Sequence, residues 1–169
     1  MMEQLIHLDY QYKDAVLKYI DHLKEKEPVL HGTGIYFRYG YDFSLWVHKE
    51  KEFHLGINID EDCVPSTLYL YMKDDVVIGM IHIRHTLNDG LFKKGGHIGY
   101  SIDPLYRNQG YATKMLEEAL KICCQWDIWP VLVTCHHDNK ASQRVIEKCG
   151  GVLENKYEQT LRYWIGEKQ

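Results

Sequence analysis

The rhythm of hydrophobic and polar positions changes several times along the chain, and each change predicts an element. Residues 4 to 8 alternate weakly, as a first strand does. Ala15, Val16, Tyr19, Ile20 and Leu23 then fall on one helical face, with Asp9 as a candidate cap. Residues 30 to 41 (LHGTGIYFRYGY) are dense in glycine and aromatics and read as a loop. A short helix is expected from about Asp42 to Phe53, followed by a loop from Gly56 to Pro65. Thr67 to Met72 and Val76 to Arg84 are β-rich and flank the turn candidate Lys73-Asp74-Asp75, which predicts a hairpin. Asn88-Asp89-Gly90 and Gly95-Gly96 bracket another connection, and His97 to Asp103 is a further strand stopped by Pro104.

From about Gly110 the period becomes helical again. Ala112, Met115, Leu116, Ala119, Leu120 and Cys123 follow an i, i+3, i+4, i+7 series. Val131 to Cys135, bounded by Pro130, is a short apolar, β-branched run that fits a buried central strand. Asn139 to Cys149 is a second helix, ended by Gly150-Gly151. Val152 to Ile165 reads as two strands around a turn near Glu158. The expected class is therefore α/β: a mixed sheet of six or seven strands with helices on both faces. No linker, repeat or low-complexity segment divides residues 1–169, so one domain is expected.

Composition changes this picture only by exclusion. The formal net charge is −4, which argues against a nucleic-acid protein with a basic face. No stretch approaches the ~20 apolar residues that span a bilayer. Met1 to His7 lacks a basic start followed by an apolar run, so no secretion signal and a cytoplasmic location are expected. Cys63, Cys123, Cys124, Cys135 and Cys149 are odd in number and show no CxxC spacing, which favours reduced thiols over a disulfide framework or metal site.

The candidate chemistry lies in Pro104-Leu105-Tyr106-Arg107-Asn108-Gln109-Gly110-Tyr111-Ala112-Thr113, between a strand and a helix. The first turn of a helix carries unpaired N–H groups and a partial positive charge, and a phosphate satisfies both. Gly110 permits close approach, Ala112 stays small and Arg107 adds charge at the mouth. The loop is neither a Walker A sequence nor GxGxxG, which disfavours a mononucleotide or dinucleotide site.

HIGYSIDPLYRNQGYATKMLEEAL closely resembles the cofactor motif of the GNAT N-acetyltransferases, and VLVTCHHDNKASQRVIEKCGG resembles that family's second motif. The resemblance covers about residues 97 to 151 and implies acetyl-CoA as co-substrate, no metal, and a small-molecule amine or protein N-terminus as acceptor. It also allows a homodimer. It implies that the loop from Arg107 to Thr113 holds the pyrophosphate, with Ser101, Ile102, Asn139, Ser142 and Lys148 completing the cofactor site. It further implies that the strands at 97–103 and 131–135 splay apart, freeing backbone N–H groups near Tyr100 to Ile102 for the pantetheine arm and the thioester carbonyl. Asn139 also reads as a plain helix N-cap.

Amine attack on a thioester needs a base and, for the leaving thiolate, an acid. Many family members place a tyrosine seven residues after the motif asparagine; here that position is Ile146, which cannot donate. Ser142 lies one turn after Asn139 and resembles the serine of ribosomal-protein-type members, so it becomes the candidate acid, with a surface serine as the alternative. His97 occupies the strand position where many members carry a glutamate base, and it competes with a structural histidine at the same place. His97, Gly99, Ser101 and Asp103 share one strand face. His82, Arg84 and His85 are further candidates for substrate contact. His136-His137 lies at an expected pocket edge or in a polar loop, without complete metal-ligand spacing. Tyr36, Phe37, Tyr39, Tyr41, Phe43 and Trp46 either cover the acceptor pocket, where a cation–π contact suits an amine, or simply pack. The absent tyrosine at 146 leaves a non-catalytic acyl-CoA sensor as the competing reading.

Overall fold

The computed structural model describes residues 2–166. Seven strands form one sheet: β1 (Glu3–His7), β2 (Ser66–Lys73), β3 (Val76–Arg84), β4 (Ile98–Ile102), β5 (Val131–His136), β6 (Val152–Tyr157) and β7 (Thr160–Ile165). Their order is β1-β2-β3-β4-β5-β7-β6. Every neighbouring pair is antiparallel except β4 and β5, which run parallel and are joined through α4 (Tyr111–Gln125).

The sheet is covered on both faces, and β2 shows why it is apolar throughout. Tyr69 and Tyr71 enter one core with Met115, Leu116 and Ala119 of α4 and Ile146 of α5 (Lys140–Lys148). Leu68, Leu70 and Met72 enter the other, with Val16, Tyr19, Ile20 and Leu23 of α1 (Lys13–Lys26) and Trp46 and Phe53 of α3 (Phe43–Leu55). A period of two thus feeds two cores from one strand. Asp9 caps a single 3-10 turn (Tyr10–Tyr12) that leads into α1, accepting from Gln11 N at 3.2 Å. Asp42 caps α3 by accepting from Leu45 N at 3.0 Å, a contact worth ~1 kcal/mol, and Gly56 ends that helix at φ +73°.

One local expectation is corrected and another gains detail. The 30 to 41 stretch is not all loop, because Tyr36–Tyr39 forms the one-turn helix α2. The connection between Asn88 and Gly96 contains a π-helical turn at Leu91–Gly95. Both are too short to leave a periodic signal.

Candidate active site

β4 and β5 are neighbours only at their start, where the ladder has the single register pair Ile98 with Val133, and His97 N donates to Leu132 O at 2.7 Å. On the other edge of β4, Arg84 N donates to His97 O at 2.7 Å and Asp103 N to Ile78 O at 2.9 Å. The alternation of an antiparallel ladder then turns the peptide groups of Tyr100 and Ile102 toward β5, where no strand meets them. Ile102 O accordingly accepts from Arg107 Nε at 3.1 Å. The result is a V-shaped opening with backbone amides on its β4 wall.

The opening leads to the turn before α4. Asp103 caps a 3-10 turn (Pro104–Tyr106), accepting from Leu105 N at 2.9 Å, and His22 Nδ1 contacts its other oxygen at 2.6 Å. Arg107 lies along the loop with its Nη1 2.7 Å from Glu27. Asn108 and Gly110 both take positive φ, 61° and 85°. Gly110 occupies the N-cap position of α4 without a side-chain cap, and no acidic residue stands in the first turn. The amides of Tyr111, Ala112 and Thr113 therefore have no intrahelical acceptor. A Cβ built on Gly110 meets no protein atom within 4 Å, so no side chain plugs the turn. The glycine is required by its backbone angle rather than by crowding from the protein.

Across the opening, Tyr100 reaches from β4 to α5, its hydroxyl 2.6 Å from Ser142 Oγ. Burial pushes the Cys135 thiol of β5 up, and Ser142 beside it partly offsets this. Burial pushes the Tyr100 phenol up to about 12, so it keeps its proton. Asn139 caps α5, accepting from Ser142 N at 3.1 Å. Ile146 is fully buried. Lys148 stands exposed in the last turn of α5, next to Cys149, whose Sγ donates to Thr113 O in the first turn of α4 at 3.8 Å.

The opposite face of β4 meets α1 and the segment after it. Tyr19 OH lies 2.6 Å from Ser101 Oγ and donates to Ser101 O at 3.0 Å; the Ser101 side chain is thus turned away from the α5 side. The 31–35 loop closes on β4: a Cβ on Gly32 would sit 2.4 Å from Tyr100 Cα. Glu50 ties that loop to α3, accepting on one oxygen from Ile35 N at 2.7 Å and Trp46 Nε1 at 3.0 Å. Burial raises its carboxyl to about 7.

His97 is poorly placed as a base. Its Nδ1 accepts from Leu132 N at 2.9 Å. Burial, aided by the Arg84 charge, lowers it to about 4. It is a neutral imidazole fixed between strands. The aromatic stretch divides: Phe43 and Trp46 are core, Tyr39 OH binds Asp60, and Phe37 and Tyr41 are exposed. His136, His137 and Asp138 bring ligand atoms within 4.8 Å of one another, in an exposed or half-exposed loop tied to Gln159.

Sequence reasoning missed Tyr100 and Glu50 as chemical groups. Tyr100 had a usable signal, since it shares the β4 face of Ile98 and Ile102 that packs toward α4 and α5.

Residues 36–152 match the family model described as Acetyltransferase (GNAT) domain, and the chain belongs to that family of acetyltransferases. No curated protein matches it in sequence. Among solved structures, it is similar to the acetyl transferase from Salmonella typhimurium that modifies the N-terminal serine of ribosomal protein L7/L12. That match has 14% identity, covers 99% of this chain and 96% of that one, and has a TM-score of 0.68. Campylobacter jejuni PseH in complex with acetyl coenzyme A matches at 10% identity, covering 99% and 100%, with a TM-score of 0.63. The microcin C7 self-immunity acetyltransferase MccE, in complex with acetyl-CoA and AMP, matches at 13%, covering 98% and 92%, with a TM-score of 0.67. No helix among the described residues is long and apolar enough to cross a membrane.

Proposed function

We propose that this acetyltransferase moves the acetyl group of acetyl-CoA directly to a primary amine in a ternary complex. The observation that carries the reading is the continuity of the β4–β5 opening with the uncapped, unplugged first turn of α4. Residues Arg107, Asn108, Gln109 and Gly110, with the amides of Tyr111, Ala112 and Thr113, receive the diphosphate. The pantetheine arm follows the opening past Asn139, and an amide among Tyr100 to Ile102 holds the thioester oxygen as charge develops on it.

Amine nitrogen attacks the carbonyl carbon, the C–N bond forms and the C–S bond breaks. One N–H proton is lost from nitrogen, and one proton is gained by sulfur. Ser142 presents its hydroxyl to the departing sulfur, and Tyr100, donating to Ser142, fixes that direction. His97 has no part in removing the amine proton in this scheme. The five cysteines are all free, which fits a reducing compartment such as the cytoplasm. The Salmonella typhimurium neighbour, which modifies a protein N-terminal serine, supports an amine acceptor.

The test is thiol release from acetyl-CoA by purified protein across an amine panel. Turnover with an amine is expected. Tight acetyl-CoA binding without turnover of any amine would replace the transferase by a sensor.

A further inference from the structure

Arg84 ends β3, and its guanidinium forms no ion pair among the described residues. Nη1 donates to Gly95 O at 3.0 Å and Gly96 O at 3.3 Å; the remaining edge has no hydrogen-bond partner among the described residues. Arg38, Arg107 and Arg162 each hold a carboxylate, while Arg144 stands in water. Arg84 is different: it is largely buried, and burial lowers it to about 10 with no nearby negative charge to offset the cost. A cation taken out of water without a partner is unfavourable, and a bound anion removes that penalty.

The surroundings repeat the message. His82, two residues earlier on the same face of β3, is buried with an unpartnered Nε2. The ionisable groups facing Arg84 from β3 and β4, His82 and His97, are both held neutral by burial and by its charge. His82 pairs with Gly99 of β4. A Cβ on Gly99 would lie 3.1 Å from Arg84 Nη2, so glycine there lets the guanidinium lie along the strand. Both Arg84 and Gly99 remain partly exposed. Gly99 immediately precedes Tyr100, and one strand residue advances about 3.4 Å.

We infer that Arg84 is the anion-recognition residue of the acceptor site, so that the substrate amine carries a carboxylate a few bonds from its nitrogen. The inference rests on the transferase reading above. A planar guanidinium with a free edge matches a carboxylate in bidentate fashion. A carboxylate docked there sets the amine beside Tyr100, where the thioester is held. The source is a free amino acid or an acidic residue at the start of a peptide; a purely cationic polyamine has nothing to offer Arg84.

The experiment measures kcat/KM by thiol release for matched acceptors: an amino acid, its carboxamide, the corresponding decarboxylated amine, short peptides beginning with Asp or Asn, and spermidine. Wild-type protein is expected to favour carboxylate over carboxamide on the order of 10²-fold. Arg84→Met should collapse that ratio, chiefly through KM for the carboxylate, with acetyl-CoA affinity kept; Arg84→Lys should restore part of it. The amino-acid and peptide arms identify the source. Equal use of carboxylate and carboxamide by wild-type protein overturns the inference and leaves the transferase standing, as does a preference for spermidine. An Arg84→Met variant that slows every acceptor alike overturns it too. Should that variant fail to fold, the wild-type ratio decides alone. No turnover with any amine removes the transferase and this inference with it.

Discussion

Replacing Gly110 by alanine separates the cost of a strained turn from the loss of a ligand. Gly110 has φ 85° and ψ 2°, a left-handed conformation that an L-residue adopts at a cost of roughly 1–2 kcal/mol. The added methyl meets no protein atom within 4 Å, so no steric term adds to this. For a chain of this size, each kcal/mol lowers Tm by about 2–4 °C. Gly150, after α5, supplies a matched control: its φ is 91°, and its Cβ also meets nothing within 4 Å. The two alanine variants should therefore melt at similar temperatures. Only at Gly110 does the methyl enter the space in front of the α4 amides. There it should displace one charge-assisted hydrogen bond to the diphosphate, about 1.5–3 kcal/mol, or roughly 10- to 100-fold in Kd. Calorimetric titration with acetyl-CoA, beside a thermal melt of each variant, gives both numbers. A Gly110→Ala protein that melts early yet binds within twofold of wild type would place the diphosphate elsewhere.

Tyr100→Phe should lower kcat about tenfold with little change in KM. It should add almost nothing to Ser142→Ala, because one acts through the other; additive losses in the double variant would break the link. With the His97 imidazole at about 4, a limb of the kcat/KM profile near pH 6.5 cannot be its titration. The His97→Gln profile should keep the wild-type shape; loss of such a limb would restore the histidine as base. Glu50 has a folded value of about 7 against an ordinary 4.5, so its protonated form favours the native state. That contribution is complete below pH 4.5 and disappears as pH rises to 7, a loss on the order of 3 kcal/mol. Urea denaturation of wild type and Glu50→Gln at pH 5 and pH 8 should show the wild type gaining relative stability at the lower pH. Parallel curves would mean that the carboxyl is ionised throughout.

Much of the fold was legible because its signals are local. The α4 stripe from Met115 to Cys123, the turn at Lys73-Asp74-Asp75 and the Gly150-Gly151 stop each lie within a few residues of what they determine. So does the turn before α4: Gly110 and the helix it starts are contiguous, and its uncapped amides follow from that segment alone. The setting of Arg84, one of the substrate-contact candidates, was not legible in the same way. Arg84 becomes an isolated cation only through the β3–β4 register, which sets it beside His97 and Gly99. The missing carboxylate is a property of everything packed around it rather than of the segment. The aromatics from Tyr36 to Trp46 stayed undecided for the opposite reason. Their composition suits either a pocket or a core, and burial alone divides them: Trp46 is inside, Tyr41 outside.

The position of Ile146 brings these cases together. Counting along α5 finds no hydroxyl where many relatives have a tyrosine, and the count is correct: Ile146 faces the core and packs against Gly151. The leaving sulfur, however, needs an O–H at a point in space, not at a position in a motif. Tyr100 and Ser142, 42 residues apart, bring two hydroxyls within 2.6 Å of each other, one from a strand and one from a helix, and in the proposed scheme they serve that point. Strand alternation sends Tyr100 to the α5 side of β4, and the Asn139 cap fixes where the first turn of α5 begins, hence where Ser142 points. A substitution that restores tyrosine at 146 would therefore not repair a deficit. It would force a phenol into a filled core, at a cost typical of overpacking, about 1–3 kcal/mol, while leaving the Tyr100–Ser142 pair where it already is.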